Sequence, residues 1–385
     1  MKIIILGGDG FCGWPTALHL SSKGHDILII DNLSRRKIDI DLGTDSLTPI
    51  STISDRISTW KKVSKQTITF EQIDVAKEYD LLLQTIKSFK PDSIVHFAEQ
   101  RAAPYSMKNS KTRRYTVDNN IVATNNVLSA ILDSKLDIHL VHLGSMGVYG
   151  YGWTGKSPIP EGYLTVRLNS GKEQVEREIL HPANPGSVYH LTKTLDQLMF
   201  SFYAKNNQLR ITDLHQGIVW GTQTEQTKLD EKLINRFDYD GDYGTVLNRF
   251  LMQSAINYPL TIYGTGGQTR AFIHISDTVK CIELAIKNAP QKGDKPLILN
   301  QVTETRTLLE LAKIIAKQTK VKINYLSNPR KEAVSNDLIV NNDKFIKLGL
   351  NPTTLNQGLM EEVSEIAMKY KDRVITKSIL PSSKW

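Results

Sequence analysis

The sequence has few cysteines and no long apolar run. Among its 385 residues only Cys12 and Cys281 are cysteines, and neither belongs to a Cys-x-x-Cys pair, which argues against a disulfide framework or a zinc ribbon. No apolar run reaches the length that crosses a bilayer. An apolar run begins at residue 2 and leaves no room for a leader, so we expect no membrane association and a cytoplasmic location.

The chain also lacks a concentrated basic segment. Its net charge is +8, but the basic residues are scattered, with only short clusters such as residues 34–37, and no RNA-binding aromatic signature is present. We therefore predict no nucleic-acid partner and interpret the charge as suited to anionic small molecules. The hydrophobic share of 40% and the charged share of 23% are typical of one large globular domain or two smaller ones.

A glycine pattern at the beginning of the chain predicts a dinucleotide site. Residues 2–6 form an apolar run typical of a buried parallel strand, and the run GGDGFCG follows directly. Gly7, Gly10 and Gly13 would let the backbone turn tightly and approach a pyrophosphate. A helix expected over residues 11–23 would point its positive end at the phosphates.

The end of the second predicted strand indicates which dinucleotide binds. Residues 26–30 predict that strand, and Asp31 follows it. A carboxylate there accepts hydrogen bonds from the adenosine ribose and disfavours a 2′-phosphate, so NAD is favoured over NADP. Arg35 and Arg36 lie close by in the sequence and leave the choice partly open.

Further apolar runs alternate with helical patterns, which predicts an α/β fold with a doubly wound parallel sheet of the Rossmann type. We expect an NAD-binding domain over 1–215, with a structured insertion at 34–66 and a lid at 151–186, and a smaller α/β domain, mainly for substrate, over 216–385. The predicted strands are 67–73, 93–98, 138–144 and 209–214, and the predicted helices are 78–89, 114–133 and 187–206.

Three residues predict the chemistry. Tyr189 and Lys193 are four residues apart, so on a helix they share one face. A nearby ammonium favours the phenolate and lowers the pKa of a tyrosine, which makes the tyrosine a usable base. Ser145 ends the predicted strand 138–144 and could share the substrate proton. The motif is weak by itself, because this spacing also occurs on ordinary solvated helix faces.

Charged residues also follow the fourth predicted strand. Ligands of doubly wound folds bind beyond the carboxyl ends of strands, so Glu99 and Arg101 should lie where cofactor and substrate meet. Their alternative interpretation is a surface ion pair of little energetic value. Later in the chain, the run GTGGQTR at 264–270 predicts a turn that ends on Arg270.

Together these motifs resemble the extended short-chain dehydrogenase/reductase superfamily of sugar-nucleotide epimerases and dehydratases. The resemblance is strongest to a branch that joins sulfite to the sugar of UDP-glucose, and it covers nearly the whole chain. The runs that carry it are GGDGFCGW (7–14), SLTPI (46–50), HFAEQRAAPYSM (96–107), LGSMG (143–147), YHLTK (189–193), GTGGQTR (264–270) and NPR (328–330).

The resemblance implies a set of site residues. The catalytic residues would be Ser145, Tyr189, His190 and Lys193. NAD, tightly bound, would contact Gly7, Gly10, Phe11, Cys12, Gly13, Asp31, Asn32, Leu33, Ser34, Arg35, Asp74, Val75, Phe97, Ala98, Asn119, Tyr189, Lys193 and Val219. The substrate would contact Glu99, Arg101, Ser145, Met146, Gln216, Asn248, Arg249, Thr261, Tyr263, Gln268, Arg270, Arg330 and Glu332. No metal is expected.

The resemblance also implies a reaction and partners. Tyr189 would take the C4 hydroxyl proton of UDP-glucose during oxidation, water would leave across C5 and C6, sulfite would add at C6, and C4 would then be reduced. Arg101 and His190 would attract the sulfite anion, and Glu99 or His190 would serve as elimination acid or base. A homodimer is expected through the helices at 114–133 and 187–206, and a protein that delivers sulfite is conceivable.

Two positions depart from common family patterns. Ser145 stands where threonine is usual, which keeps the hydroxyl, and Met146-Gly147 stands where dehydratases carry an Asp-Glu pair. An epimerase needs no such pair either, so a UDP-sugar 4-epimerase or a 4,6-dehydratase remains the alternative enzyme. A dinucleotide-binding regulator without catalysis is a further alternative, against which the complete Ser145, Tyr189 and Lys193 set argues.

Overall fold

The computed structural model describes residues 1–150, 158–170, 173–356, 359–381 and 383–385. The strands are β1 Lys2–Leu6, β2 Asp26–Ile30, β3 Ile68–Glu71, β4 Ser93–His96, β5 His139–Leu143, β6 Tyr163–Ser170, β7 Glu173–Leu180, β8 Arg210–Gln216, β9 Ile218–Trp220, β10 Leu260–Tyr263, β11 Gly267–His274, β12 Leu297–Gln301, β13 Glu304–Thr307, β14 Ile323–Leu326 and β15 Ser335–Asn336. The helices are α1 Gly13–Ser22, α2 Ser34–Leu42, α3 Ile53–Ser64, α4 Tyr79–Phe89, α5 Ala103–Met107, α6 Ser110–Ser134, α7 Val188–Asn207, α8 Val246–Ala255, α9 Ile275–Lys287, α10 Leu308–Thr319, α11 Asp343–Lys347 and α12 Leu359–Lys369.

Seven parallel strands form the central sheet, in the order β12-β8-β5-β4-β1-β2-β3. The strand order changes direction between β1 and β4, since β2 and β3 extend the sheet on one side of β1 and β4 begins the other side. Ligands of doubly wound sheets bind at such a point. The predicted Rossmann-type α/β fold is therefore confirmed. The last strand, β12, pairs with β8 although it comes from residues beyond 215.

Alternate residues of the buried strands face opposite layers of helices. Ile3 and Ile5 pack with the hydrophobic cluster that contains Trp14 of α1, Trp60 of α3 and Ile282 of α9. Ile4 and Leu6 pack with the cluster built from α4, α6 and α7. Both faces of β1 are thus covered, which explains its uninterrupted apolar sequence.

A second core belongs to the smaller part of the molecule. There α8, α10 and α12 pack around β10 and β11, and Phe250, Leu311 and Val363 are buried in this core. The segment 34–66 contains α2 and α3 and also contributes Leu47 to the second core. The backbone N–H of Leu47 donates to the carbonyl of Phe237 at 3.0 Å, so this segment joins the two cores.

Two segments differ from the sequence expectations or extend them. The run 264–270 is a turn only as far as its middle, because β11 begins at Gly267 and carries Arg270 in a strand paired with β13. Between 151 and 186 the structure shows the antiparallel hairpin of β6 and β7, whereas residues 151–157 and 171–172 lie outside the described residues. Across the described ranges, no helix has the length and apolarity to cross a membrane.

Candidate active site

One long cleft runs along the carboxyl ends of the central strands and extends to the smaller core. At one end it is lined by the glycine turn after β1 and by Asp31 after β2, and its middle is lined by Ser145, Tyr189 and Lys193. At its far end lie Arg249, Tyr263, Arg270 and Arg330. Most of the predicted dinucleotide, catalytic and substrate residues therefore border a single cavity.

The glycine turn fits a dinucleotide closely. A Cβ atom at position 13 would lie 2.1 Å from the carbonyl oxygen of Gly7, and one at position 7 would lie 2.8 Å from the backbone of Phe97, where φ is already +80°. Only glycine permits this approach of the backbone to the first turn of α1. Free backbone N–H groups at the beginning of a helix bind phosphate oxygens, so this turn can hold the pyrophosphate of NAD.

The structure resolves the choice between NAD and NADP. Asp31 accepts hydrogen bonds from the backbone N–H groups of Asp9 and Leu33 at 3.0 and 2.7 Å. Burial and the neighbouring Asp9 raise the pKa of Asp31 to about 6, so its carboxylate gains from any further donor such as a ribose hydroxyl. Arg36 pairs with Asp9 at 2.6 Å, and Arg35 is bound by Asp39 and Asp238. Neither arginine needs a 2′-phosphate as its partner.

Ser145, Tyr189 and Lys193 meet in the middle of the cleft. Ser187 caps α7 by accepting a hydrogen bond from the His190 N–H at 3.2 Å, and this places Tyr189 and Lys193 on the helix's first two turns. Ser145 follows β5, and its hydroxyl lies close enough to the Tyr189 phenol to favour the phenolate and so to lower the pKa of Tyr189. Its hydroxyl also accepts a hydrogen bond from the Gly147 N–H at 3.0 Å, which fixes its orientation.

The expected effect of Lys193 on Tyr189 is only partly present. Burial raises the pKa of Tyr189, the Lys193 ammonium lowers it, and the Glu99 carboxylate raises it again, with a net increase above the ordinary value. The expectation of a lowered tyrosine pKa is therefore wrong, although the Lys193 contribution has the expected sign. Its reason is physical: removal of the phenol from water opposes its ionisation more strongly than one partly neutralised cation favours it.

Lys193 belongs to a buried set of charges that we call the catalytic ion group: Glu99, His142, Lys193, Asp196 and Asp213. The Lys193 Nζ lies 2.9 Å from Glu99 Oε2 and 3.0 Å from His142 Nε2. His142 Nδ1 lies 2.8 Å from Asp213 Oδ1. Atoms of Glu99, His142 and Asp196 lie within 4.8 Å of one another, close enough for a metal, but the Lys193 ammonium already serves as their cation.

These contacts keep the Glu99 carboxylate ionised. The carboxylate is only 3% exposed, and although burial opposes ionisation, Lys193 and His142 lower its pKa to about 2. A group that is ionised at every physiological pH has no proton to donate. Glu99 therefore does not fit the elimination acid that the sequence suggested.

His190 is placed at the cleft but carries no charge near pH 7. Burial, followed by the cations of Arg330 and Arg270, lowers its pKa to about 3, so its predicted role as a cation for sulfite is wrong. Its Nδ1 lies 3.1 Å from the Ser187 hydroxyl. A Cβ at position 147 would lie 2.1 Å from the His190 ring, so the ring occupies the space that a glutamate of the dehydratase pattern would need.

Arg101 stands at the edge of the cleft within a second set of charges, the arginine ion group: Arg35, Arg101, Arg236, Asp39 and Asp238. Its Nη2 lies 2.5 Å from Asp238 Oδ2, and its guanidinium carbon lies 5.5 Å from the Phe11 ring and 5.4 Å from the Tyr243 ring. Asp238 also binds Arg35 at 3.1 Å and Arg236 at 3.2 Å. The side chain of Arg101 is 32% exposed, so it combines a fixed position with access to the cavity.

The far end of the cleft suits an anionic ligand. Burial lowers the pKa of Arg249, and within the described part of the chain its Nε and the hydroxyl of Tyr263 have no hydrogen-bond partner. The Arg249 guanidinium carbon lies 5.2 Å from the Tyr263 ring. Arg270 pairs with Glu332 at 2.5 Å. Arginine donors that line a buried cavity are typical of sites for diphosphates.

Four predicted contact residues do not line the cleft. Leu33 has its backbone in the left-handed region at φ 58° and serves to begin α2. Asn248 and Gln268 are buried in the smaller core region, and Thr261 hydrogen-bonds Gln253 at 2.8 Å. The other predicted residues, from the glycines to Glu332, border the cavity.

The residues that surround the catalytic lysine were not predicted from the sequence. His142 and Asp213 lie inside apolar strands, and His215 and Asp196 are also fully buried. A signal was present in the strands, because titratable residues interrupt their sequences at His142 in β5 and at Asp213 and His215 in β8. Asp238 and Tyr243, which contact Arg101, come from a segment without regular structure and gave no such signal.

The model of the NAD dependent epimerase/dehydratase family matches residues 3–300. A UDP-sulfoquinovose synthase from Spinacia oleracea, described as chloroplastic, is 44% identical across the whole chain and 79% of its own length. A UDP-sulfoquinovose synthase from Sulfolobus acidocaldarius is 37% identical across the whole chain and 98% of its own length.

Solved structures support the fold. The UDP-glucuronic acid 4-epimerase from Bacillus cereus, solved in complex with UDP-glucuronic acid and NAD, superposes with a TM-score of 0.68 at 21% identity. The match covers 97% of this chain and 99% of that one. At this identity the likeness establishes the shared architecture.

Proposed function

Since the chain belongs to the NAD-dependent epimerase/dehydratase family and, within it, to the UDP-sulfoquinovose synthases, we propose that it converts UDP-glucose and sulfite to UDP-sulfoquinovose and water. The observation that carries the proposal is the meeting of Ser145, Tyr189 and Lys193 in a cleft whose far end carries arginines. Identity to both synthases over the full chain, at 44% and 37%, selects this reaction from those of the wider family.

In the proposed reaction Tyr189 accepts the proton of the C4 hydroxyl, and the Ser145 hydroxyl hydrogen-bonds the same oxygen. The chemistry that NAD supplies when bound is reversible hydride transfer at C4. The resulting ketone acidifies the C5 proton, and loss of that proton and of the C6 hydroxyl gives water and a conjugated double bond. The sulfur of sulfite then bonds to C6, C5 takes up a proton, and the C4 oxygen recovers its proton from Tyr189.

Cations at two places support binding of the two substrates. Arg249, Arg270 and Arg330 would hold the diphosphate of UDP-glucose at the far end of the cleft. Arg101 would attract sulfite, because its guanidinium offers several donors and a fixed charge. The side chain of Arg101 remains partly exposed at the cleft, which allows this contact.

The reaction is tested by mass spectrometry of purified protein incubated with UDP-glucose, with sulfite present or absent. The expected product is a nucleotide sugar heavier than UDP-glucose by the elements of SO₂, formed only with sulfite. UDP-galactose formed without sulfite would identify an epimerase instead, and a 4-keto-6-deoxy sugar would identify a dehydratase. The clash between position 147 and the His190 ring argues against the acid pair of a dehydratase.

NAD should stay bound between turnovers, because the cycle has no net redox change. Denaturing the purified protein and analysing the released nucleotide tests this expectation. Arg35 and Arg36 are neutralised by Asp39, Asp238 and Asp9, and we therefore expect neither of them to bind a 2′-phosphate. Release of NADP would show that this expectation is wrong.

A homodimer is part of the proposal. Helices α6 and α7 pack side by side, and α7 exposes a stripe of apolar side chains at helical spacing: Leu191, Leu195, Leu198 and Phe202, the last 59% exposed. A two-fold contact would bury this stripe. Light scattering should show a dimer that Phe202→Asp weakens, whereas Ile40→Asp, at a still more exposed site on α2, should leave it intact. A monomeric wild-type protein at micromolar concentration would refute the dimer.

A cytoplasmic location completes the proposal. Cys12 and Cys281 are both buried free thiols, which suits a reducing compartment. Fractionation of cells that express the protein from its own gene tests this location.

A further inference from the structure

The carboxylate of Glu99 lies in the protein interior against the catalytic lysine. Its Oε2 is 2.9 Å from Lys193 Nζ, and the same ammonium donates a hydrogen bond to the carbonyl of Leu143 at 2.7 Å. The side chains of Glu99 and Lys193 are 3% and 4% exposed. Two fixed oxygen atoms therefore determine where the charge of Lys193 lies relative to Tyr189.

A chain of buried side chains holds Glu99 in turn. Its Oε1 lies 2.9 Å from Nε2 of His142, whose Nδ1 lies 2.8 Å from Asp213. The other oxygen of Asp213 lies 3.0 Å from His215, and His215 lies 2.6 Å from the hydroxyl of Tyr149. This chain crosses β5, which pairs with β4, and β8, which pairs with β5, so the sheet itself supports the position of Glu99.

Glu99 and Lys193 act on Tyr189 in opposite directions. The ammonium favours the phenolate, whereas the carboxylate disfavours it, because like charges repel and opposite charges attract. Both effects are strong in a site with little water. The pH at which Tyr189 ionises thus depends on the pair and not on the lysine alone.

We propose that Glu99 is a positioning residue that holds Lys193 beside Tyr189 and sets the pH range in which Tyr189 is a base. The proposal rests on the proposed function only in taking Tyr189 as that base. The other titratable and charged groups that face this set are His96 on β4, Arg101 in the segment after β4, His142 on β5, Asp196 on α7, and Asp213 and His215 on β8.

The test is Glu99→Gln, which keeps the shape of the side chain and removes its charge. We expect Tyr189 to ionise at lower pH in this variant, and we expect the acidic limb of the rate profile to move to lower pH as well. Ultraviolet difference titration against Glu99→Gln/Tyr189→Phe isolates the Tyr189 signal and needs no turnover. The plateau rate should fall about tenfold or more, because a Tyr189 phenolate of lower pKa is a weaker base and because Lys193, still bound to the Leu143 carbonyl, is positioned less precisely.

Glu283→Gln is the matched control. Glu283 also binds a histidine and a lysine, His19 at 2.6 Å and Lys287 at 2.5 Å, but lies outside the cleft. Its replacement should leave both titrations unchanged, and Glu99→Asp should return the rate profile towards that of the wild type. An unmoved or upward-shifted Tyr189 titration in a folded Glu99→Gln protein would overturn the proposal. A wild type that makes no sulfonated sugar would refute the reaction and leave this titration interpretable.

Discussion

The catalytic ion group and the arginine ion group are built alike but differ in the kind of cation that they contain. Each contains buried carboxylates with cations between them, and each borders the same cleft. The cations of the first are a lysine and a histidine, which can lose protons, whereas those of the second are arginines, which keep theirs. The first group can therefore respond to proton transfer at Tyr189, and the second can only supply fixed charge and position.

Removal of the proton acceptor next to the catalytic ion group should have the largest effect. Tyr189→Phe deletes one oxygen and little volume, so we expect a loss of turnover of about a hundredfold to ten-thousandfold or more, the usual worth of a positioned general base. Binding of UDP-glucose by calorimetry should remain near normal. Tyr203→Phe on the same helix, where the hydroxyl contacts Asn125, is the control. Substantial turnover by Tyr189→Phe would mean that another group is the base.

The catalytic ion group should make stability depend on pH. Although burial and Lys193 oppose protonation, Asp213 and Glu99 raise the pKa of His142 from 6.5 to about 9. A histidine with a raised pKa stabilises the fold fully below the unfolded value of 6.5, and this stabilisation disappears as the pH rises through about 9. The loss should be on the order of 3 kcal/mol.

Unfolding measured between pH 6 and 9.5 tests this dependence. Relative to the wild type, His142→Gln should flatten the decrease in the free energy of unfolding. His139→Gln should keep the decrease, because burial lowers the pKa of His139 to about 3 and that ring stays neutral throughout. Equal slopes for His142→Gln and the wild type would show that His142 does not change its charge on unfolding in this range.

The two groups also differ in how far the sequence could predict them. Apolar strands, the glycine turn, Asp31 and the Tyr189–Lys193 spacing depend on local sequence, so the sheet and the middle of the cleft were predictable. The environment of Lys193 was not, because Glu99, His142 and Asp213 are brought together only by the pairing of β4, β5 and β8. Burial, which no local pattern reports, reversed the expected pKa shift of Tyr189 and removed the charge from His190.

Loss of the exposed cation should selectively weaken sulfite binding. One charge-assisted hydrogen bond is worth about 1.5–3 kcal/mol, so Arg101→Ala should raise the apparent KM for sulfite about tenfold to a hundredfold. The KM for UDP-glucose should change much less, and deuterium exchange at C5 should persist. Arg210→Ala, which removes an arginine paired with Asp137 at the beginning of β8, is the control. If UDP-glucose binding collapses instead, Arg101 serves the sugar nucleotide or the fold.

The smallest and sharpest effect should come from Asp238→Asn, which separates charge from position within the arginine ion group. Asp238 contacts Arg35, Arg101 and Arg236, so the variant keeps all three arginines in the sequence and adds one net positive charge beside the cleft. If the group supplies fixed charge, the apparent KM for sulfite should fall a few-fold, and added salt should reduce the gain because it screens exposed charges. Asp45→Asn, which removes a surface carboxylate paired with Arg373, should change neither the KM for sulfite nor its dependence on salt. A KM for sulfite that rises as in Arg101→Ala would instead show that Asp238 acts by holding Arg101 in position. The two ion groups would then be more alike, because in each of them a carboxylate would fix the position of the cation at the active site.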